Sequence, residues 1–248
     1  MKSKKIKTWL LVLSFLLGTT GIIFAENSSK SESTQPNFVQ TMRQGGFTAK
    51  TASWTTVTTS TETGNIRMWE SKSWISGNRY RLEAINQADH KKVVILDDGQ
   101  KLYLYYPKEN KAFRLGYNQG FMLESVLRYD LVFESARQRN TAKVIRVETI
   151  DGKKCTVYRY QKTLGLLFSS PSDVKEWVWI DENFPIKSIM TTPNQKMEMG
   201  SMAAEAPSFN ITGLIKDLKL NIEINNALFT LPVNTNIVIL DQKSPAKK

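Results

Sequence analysis

Residues 175–191 read KEWVWIDENFPIKSIMT, a strand, a tight turn and a second strand. Trp177 and Trp179 share one face of the first strand, and Val178 and Ile180 share the other. Successive side chains of a strand point to opposite faces, so a strand with water on one side alternates apolar and polar residues. This one is apolar on both sides over four residues. Residues 181–185, DENFP, carry turn chemistry, and an extended run resumes over 186–190. The pattern predicts a hairpin with a core on one side and either a second layer or a ligand cavity on the other. Both assignments of the two faces stay open at this point.

Toward the N-terminus the chain repeats this extended character. Residues 66–75 and 79–85 form a second hairpin through Ser76, Gly77 and Asn78. Tyr80, Leu82 and Ala84 share one face there, and Arg79, Arg81 and Glu83 the other, the mark of a half-buried strand. Short strands follow at 93–96, 101–106 (KLYLYY) and 112–115, separated by turns at 97–99 and 107–110. Residues 47–63, rich in Thr and Ser around Trp54 and Val57, predict an initial strand with a polar face. Phe38, Val39 and Met42 mark a short helix in 37–46, stopped by Gly45 and Gly46. In the second half, 144–150 and 153–161 flank Asp151-Gly152, the strongest hairpin signal in the chain. The last extended pieces are 209–214, 218–224 and 238–240. This is a mainly β meander, without helices long enough for parallel crossovers.

One segment breaks the pattern. Over 119–133, Met122 and Val126, and Leu123 and Leu127, are i,i+4 pairs, with Glu124 and Arg128 on the flank. This predicts a helix laid on the sheet or across its mouth. The N-terminus carries a different signal. Lys2, Lys4, Lys5 and Lys7 precede a mostly apolar run, 9–24, that ends at Ala25. That is a secretory signal peptide cleaved after Ala25, with an uncleaved anchor as the rival reading. The domain organisation expected is a signal peptide over 1–25, a polar leader over 26–46 with the short helix, a β domain over 47–241 and a polar tail over 242–248.

The composition is that of a folded protein: 248 residues, 41% hydrophobic, 23% charged. The net charge of +11 falls once the four N-terminal lysines are removed, which argues against nucleic acid as a partner. The lone Cys155 permits no intramolecular disulfide, and the lone His90 sits in a turn. Met197, Met199 and Met202 lack a His or Cys neighbour and make no metal site. Asp97-Asp98 and Asp181-Glu182 read as turn acids rather than a glycosidase pair or a Ca²⁺ loop. No constellation for catalysis or for a cofactor emerges. What remains is aromatic and aliphatic mass on a curved sheet, the chemistry of a cavity for apolar ligands.

The order of these motifs resembles the periplasmic lipoprotein-carrier superfamily, LolA and its relatives, including LolB-like and RseB-like domains. The matching pieces are GNRYRLEA (77–84), VVILDDGQKLYLYYPKENKAF (93–113), IDGKKCTVYRY (150–160), EWVWIDENFPIKSI (176–189) and ALFTLPVNTNIVIL (227–240). The resemblance implies an unclosed, highly curved antiparallel β-barrel with lid helices over a hydrophobic cavity. It implies a non-enzymatic carrier, without a cofactor, that holds the acyl chains of lipoproteins or other lipids in outer-membrane lipoprotein sorting. A monomer acting in the periplasm between an envelope donor and acceptor, with transient membrane-surface contact, would follow. A sensor or regulatory interaction domain on the same fold is the alternative. Candidate cavity or lid residues are Trp69, Tyr80, Leu82, Leu102, Tyr103, Leu104, Tyr105, Phe121, Met122, Leu127, Trp177 and Trp179. Arg67, Arg79, Arg81 and Arg114 are the arginines open for holding the lid.

Overall fold

A computed structural model describes residues 36–62, 64–85, 90–116, 131–162, 171–199 and 202–239. The first half supplies helix α1 (Phe38–Gln44) and strands β1 (Thr51–Glu62), β2 (Asn65–Ser76), β3 (Arg79–Ile85), β4 (Lys92–Asp97), β5 (Leu102–Tyr106) and β6 (Lys111–Leu115). The second supplies helix α2 (Leu131–Gln138), then β7 (Lys143–Ile150), β8 (Lys153–Lys162), β9 (Ser172–Trp179), β10 (Phe184–Thr192), β11 (Gln195–Met199), β12 (Met202–Ala206), β13 (Phe209–Leu220) and β14 (Asn236–Ile239). Twelve of the strands form one curved, unclosed sheet in the order β14-β6-β5-β4-β3-β2-β1-β13-β10-β9-β8-β7. β11 and β12 make a separate two-stranded hairpin.

The sheet is two meanders joined by one long strand. β1–β6 pair consecutively, and so do β7–β10. β13 returns along β1 from Glu62↔Phe209 to Ala52↔Leu220 and pairs with β10 on its other side. Local turn signals specify the hairpins. At Asp151 and Gly152 φ is 49° and 75°, the two positive values that a type I′ turn requires. The β1–β13 pairing carries no local signal.

Both described α-helices lie on one face, called inner here. α1 packs on α2 and β3, and α2 packs on β10 and β13. The main core forms there: Phe38, Val39 and Met42 of α1 meet Trp54, Ile75, Tyr80, Leu82, Ile95, Leu102, Leu104 and Phe184. The outer face of β4 and β5 is also covered. Val94, Leu96, Tyr103 and Tyr105 pack against Phe229, Leu228 and Leu231, from the segment that leads to β14. This explains why VVIL and LYLYY are apolar on both faces: each strand has two buried sides.

Four readings are revised. First, helix continues beyond the end expected at 133, since α2 covers Leu131–Gln138. The rest of that reading, residues 117–130 with Phe121, Met122 and Leu127, lies outside the described residues. Within the added turn Ser135 is buried and Ala136 packs on the core. Second, 209–214 and 218–224 are not two pieces. β13 is continuous to Leu220, and an irregularity opposite Ser53/Thr55, with Asp217 at φ 52°, absorbs the polar interruption. Third, β14 pairs parallel to β6, so the sheet is not wholly antiparallel. Fourth, β1 starts at Thr51. Phe47 and Ala49 precede it as buried core residues outside the ladder.

Candidate functional site

The inner face is the surface on which the two helices sit, and the sequence positions them by ordinary helix chemistry. Asn37 caps α1. Its side chain accepts from the Gln40 N–H at 2.8 Å, and the Gln40 side chain accepts from the Asn37 N–H at 2.8 Å. This reciprocal capping satisfies two otherwise orphaned donors. The buried Asp97 carboxylate accepts from the Phe38 N–H at 3.4 Å and from the Gly99 N–H at 2.9 Å. Negative charge at a helix N-terminus is favourable. Asp97 therefore joins α1 to the end of β4. Asp98 accepts from the N–H groups of Gln100 and Lys101, both at 2.8 Å. These two acids are structural, as the turn reading expected.

At its other end α1 is held by Arg43. Its guanidinium donates to the carbonyls of Phe47, Thr48, Ala49 and Gly77 at 3.2–3.4 Å. α2 is held by a chain of polar contacts. Ser135 donates to the Glu176 carboxylate at 2.7 Å, and Arg139 donates to Ser135 at 3.0 Å and to the Asn183 side chain at 2.7 Å. Arg139 also stacks over Tyr158, 4.8 Å from the ring centroid. Asn183 donates on to the Gly45 carbonyl at 3.4 Å. Glu176 on β9 and Ser135 are both 1% exposed. A buried carboxylate requires such partners. Arg43 and Arg139 were not among the arginines singled out from sequence. Arg79 and Arg81 hold the outer segment: Arg79 donates to Asn226 at 2.7 Å, and Arg81 to the Leu228 carbonyl at 2.8 Å. An available signal for α2's anchor was Glu176 itself, an acid on the same strand face as Val174 and Val178.

The inner face thus has two halves. Under α1 it is apolar, with Tyr80, Leu82, Leu102 and Leu104 all buried. Toward α2 it is lined by small polar groups: Thr56, Thr58 and Ser71 are each at most 3% exposed. The hydroxyls of Thr56 and Ser71, which face each other across β1 and β2, and the indole N–H of Trp54 are buried without a hydrogen-bond partner. Trp69 lies in the same row, paired with Thr58 and half-buried.

The other described candidates, Tyr103, Tyr105, Trp177 and Trp179, fall on the outer face. Tyr103 and Tyr105 belong to the cluster under Phe229. Burial raises the Tyr103 hydroxyl pKa, and Asp98 adds to the rise. Trp177 and Trp179 pack with Cys155 and Val157, opposite the side on which Glu176 meets α2. The Trp177 indole donates to Glu148, and Lys187 lies over its ring at 4.9 Å. Burial raises the Cys155 thiol pKa. Beside Trp179 is a cleft of ≈ 600 Å³ lined by Ile150, Lys153, Lys187, Leu214 and Leu218 among others. Among the described residues no three His, Cys, Asp or Glu side chains are placed to hold a metal ion. Among the same residues no helix is long and apolar enough to cross a membrane.

No family model matches the chain, and no curated protein matches it. Solved structures do align with it. An uncharacterized conserved protein from Thermus thermophilus aligns over 82% of this chain and 96% of its own, with a TM-score of 0.48 and 5% identity. A LolA superfamily protein from Nitrosomonas europaea aligns over 78% and 96%, with a TM-score of 0.35 and 14% identity. MucB in the Pseudomonas aeruginosa MucA/MucB complex aligns over 81% and 62%, with a TM-score of 0.39 and 11% identity. This chain's own strand order and helix contacts establish an open, curved, mainly antiparallel sheet with α1 and α2 packed on one face.

Proposed function

We propose that the chain is an exported, non-enzymatic binder of acyl chains, carrying lipoproteins or other lipids on its inner face. One observation supports this above the others. Among the described residues, an inner sheet face that is apolar under α1 and lined by small buried polar groups toward α2 is covered by these two helices rather than by a second sheet.

The magnitudes favour an exchangeable cover. α1 buries three large apolar side chains, each contributing about 2 kcal/mol. Ordering its seven residues costs about 1 kcal/mol each. The two sums nearly cancel, and capping and the Arg43 contacts tip the balance toward the docked helix. An acyl chain gains about 0.8 kcal/mol per buried CH₂. A long chain can therefore replace the helix on Leu82, Leu102 and Leu104, and the helix can return when the chain leaves. The unpartnered hydroxyls of Thr56 and Ser71 offer polar contacts for the ester or amide end of such a ligand. The segment 1–25 supplies the route of export.

Native mass spectrometry of the protein extracted gently from its host tests the proposal. The expected result is added mass equal to a lipid or an acylated peptide. Protein that emerges bare, and stays bare after incubation with acylated peptide, overturns it.

A further inference from the structure

Among the described residues, the two edge strands of the sheet differ. β14 at one edge is four residues long. β7 at the other has eight, LysValIleArgValGluThrIle in sequence, without proline or glycine. Its apolar side chains face solvent: Val144 is 62% exposed, Ile145 43% and Val147 51%. An edge strand presents a row of unpaired N–H and C=O groups, and proteins ordinarily protect a long apolar one. The irregularity at Ile145 leaves 146–150 in regular extended register with β8.

The strand is complementary to itself. Set antiparallel to a second copy and centred on Val147, it places Val147 opposite Val147, Arg146 opposite the partner's Glu148, and Ile145 opposite the partner's Thr149. Opposite charges and β-branched pairs are the favourable cross-strand neighbours, whereas like charges face to face are unfavourable. Within one chain Arg146 and Glu148 project from the same face and meet at 2.6 Å. In the pair, two such couples would interlock as a four-charge row on the face opposite the central valines. A slip of one position moves every side chain to the wrong face, so this register is the one the sequence specifies. We infer that β7 is a homodimerisation edge, where two copies of this chain join their sheets by antiparallel pairing through Val147. This replaces the expectation of a monomer.

Charge reversal separates the register from general stickiness. The purified chain should double its apparent mass by light scattering as concentration rises. R146E carries two acids in the row and E148R two bases, so each alone should stay single. Their equimolar mixture should again form a dimer, because every acid then faces a base. Circular dichroism checks that both variants are folded. If E148R misfolds through loss of its Trp177 contact, V147K replaces it, with loss of the dimer expected. A wild-type chain that stays single up to about 1 mM overturns the inference. So does a dimer indifferent to R146E, a mixture of two folded variants that fails to associate, or a single chain that pairs only with an unrelated extended peptide.

Discussion

Glu83 shows how a half-buried charge is kept on this sheet. It meets Arg81 at 2.6 Å and Lys92 at 2.7 Å. Burial raises its pKa, but the bonds from Lys92 and Arg81 outweigh that and hold the carboxyl below its ordinary range. A carboxylate whose pKa is depressed on folding contributes stability that is fully present above its unfolded pKa. That contribution is lost as pH falls through the folded pKa. Thermal unfolding should therefore show the melting temperature falling as pH drops through the acid range. E83Q should melt lower at neutral pH and lose less on acidification. Equal pH slopes for the two proteins would contradict this account. The alternation of Tyr80, Leu82 and Ala84 against Arg79, Arg81 and Glu83 was legible in the sequence. Which arginines hold helices was not, because Arg43 and Arg139 act through backbone carbonyls and a serine that lie apart from any charge motif.

The elements show where local reading succeeds and fails. The hairpin at 175–191 forms as its turn residues dictate, as β9 and β10. Its two apolar faces have separate causes. Glu176 and Val178 share the side that α2 meets, while Trp177 and Trp179 serve the cluster around Cys155. Alternation gives the two faces but not what covers them, since the cover comes from residues 40 positions away. The return of β13 to β1 is hidden for the same reason: register between distant strands is set by which faces need burying. α1 was legible because its apolar spacing and Gly45 are local. Gly45 also sets the closeness of the two helices. A Cβ there would lie 2.5 Å from the Ala136 backbone. G45V should force α1 and α2 apart and cost about 1–3 kcal/mol of unfolding free energy in urea. An unchanged denaturation midpoint would show that the helices do not meet there.

At the scale of the described residues the molecule is an open sheet with one face under α1 and α2 and the other partly sealed by the segment that leads to β14. The covers differ in kind. The outer segment is continuous with β14, which adds to the sheet, and it is pinned by Arg79 and Arg81. The inner helices α1 and α2 belong to no ladder, and on the proposed function they are the parts that exchange with a ligand. Hydrogen exchange followed by mass spectrometry, with and without an acylated peptide, reads this directly. On acyl binding, peptides covering 38–44 and 131–138 should lose protection as the helices lift, while those covering β3 to β5 stay protected beneath the acyl chain. Binding that leaves both helices as protected as before, or that changes protection only around Trp177 and Trp179, would contradict an inner-face carrier.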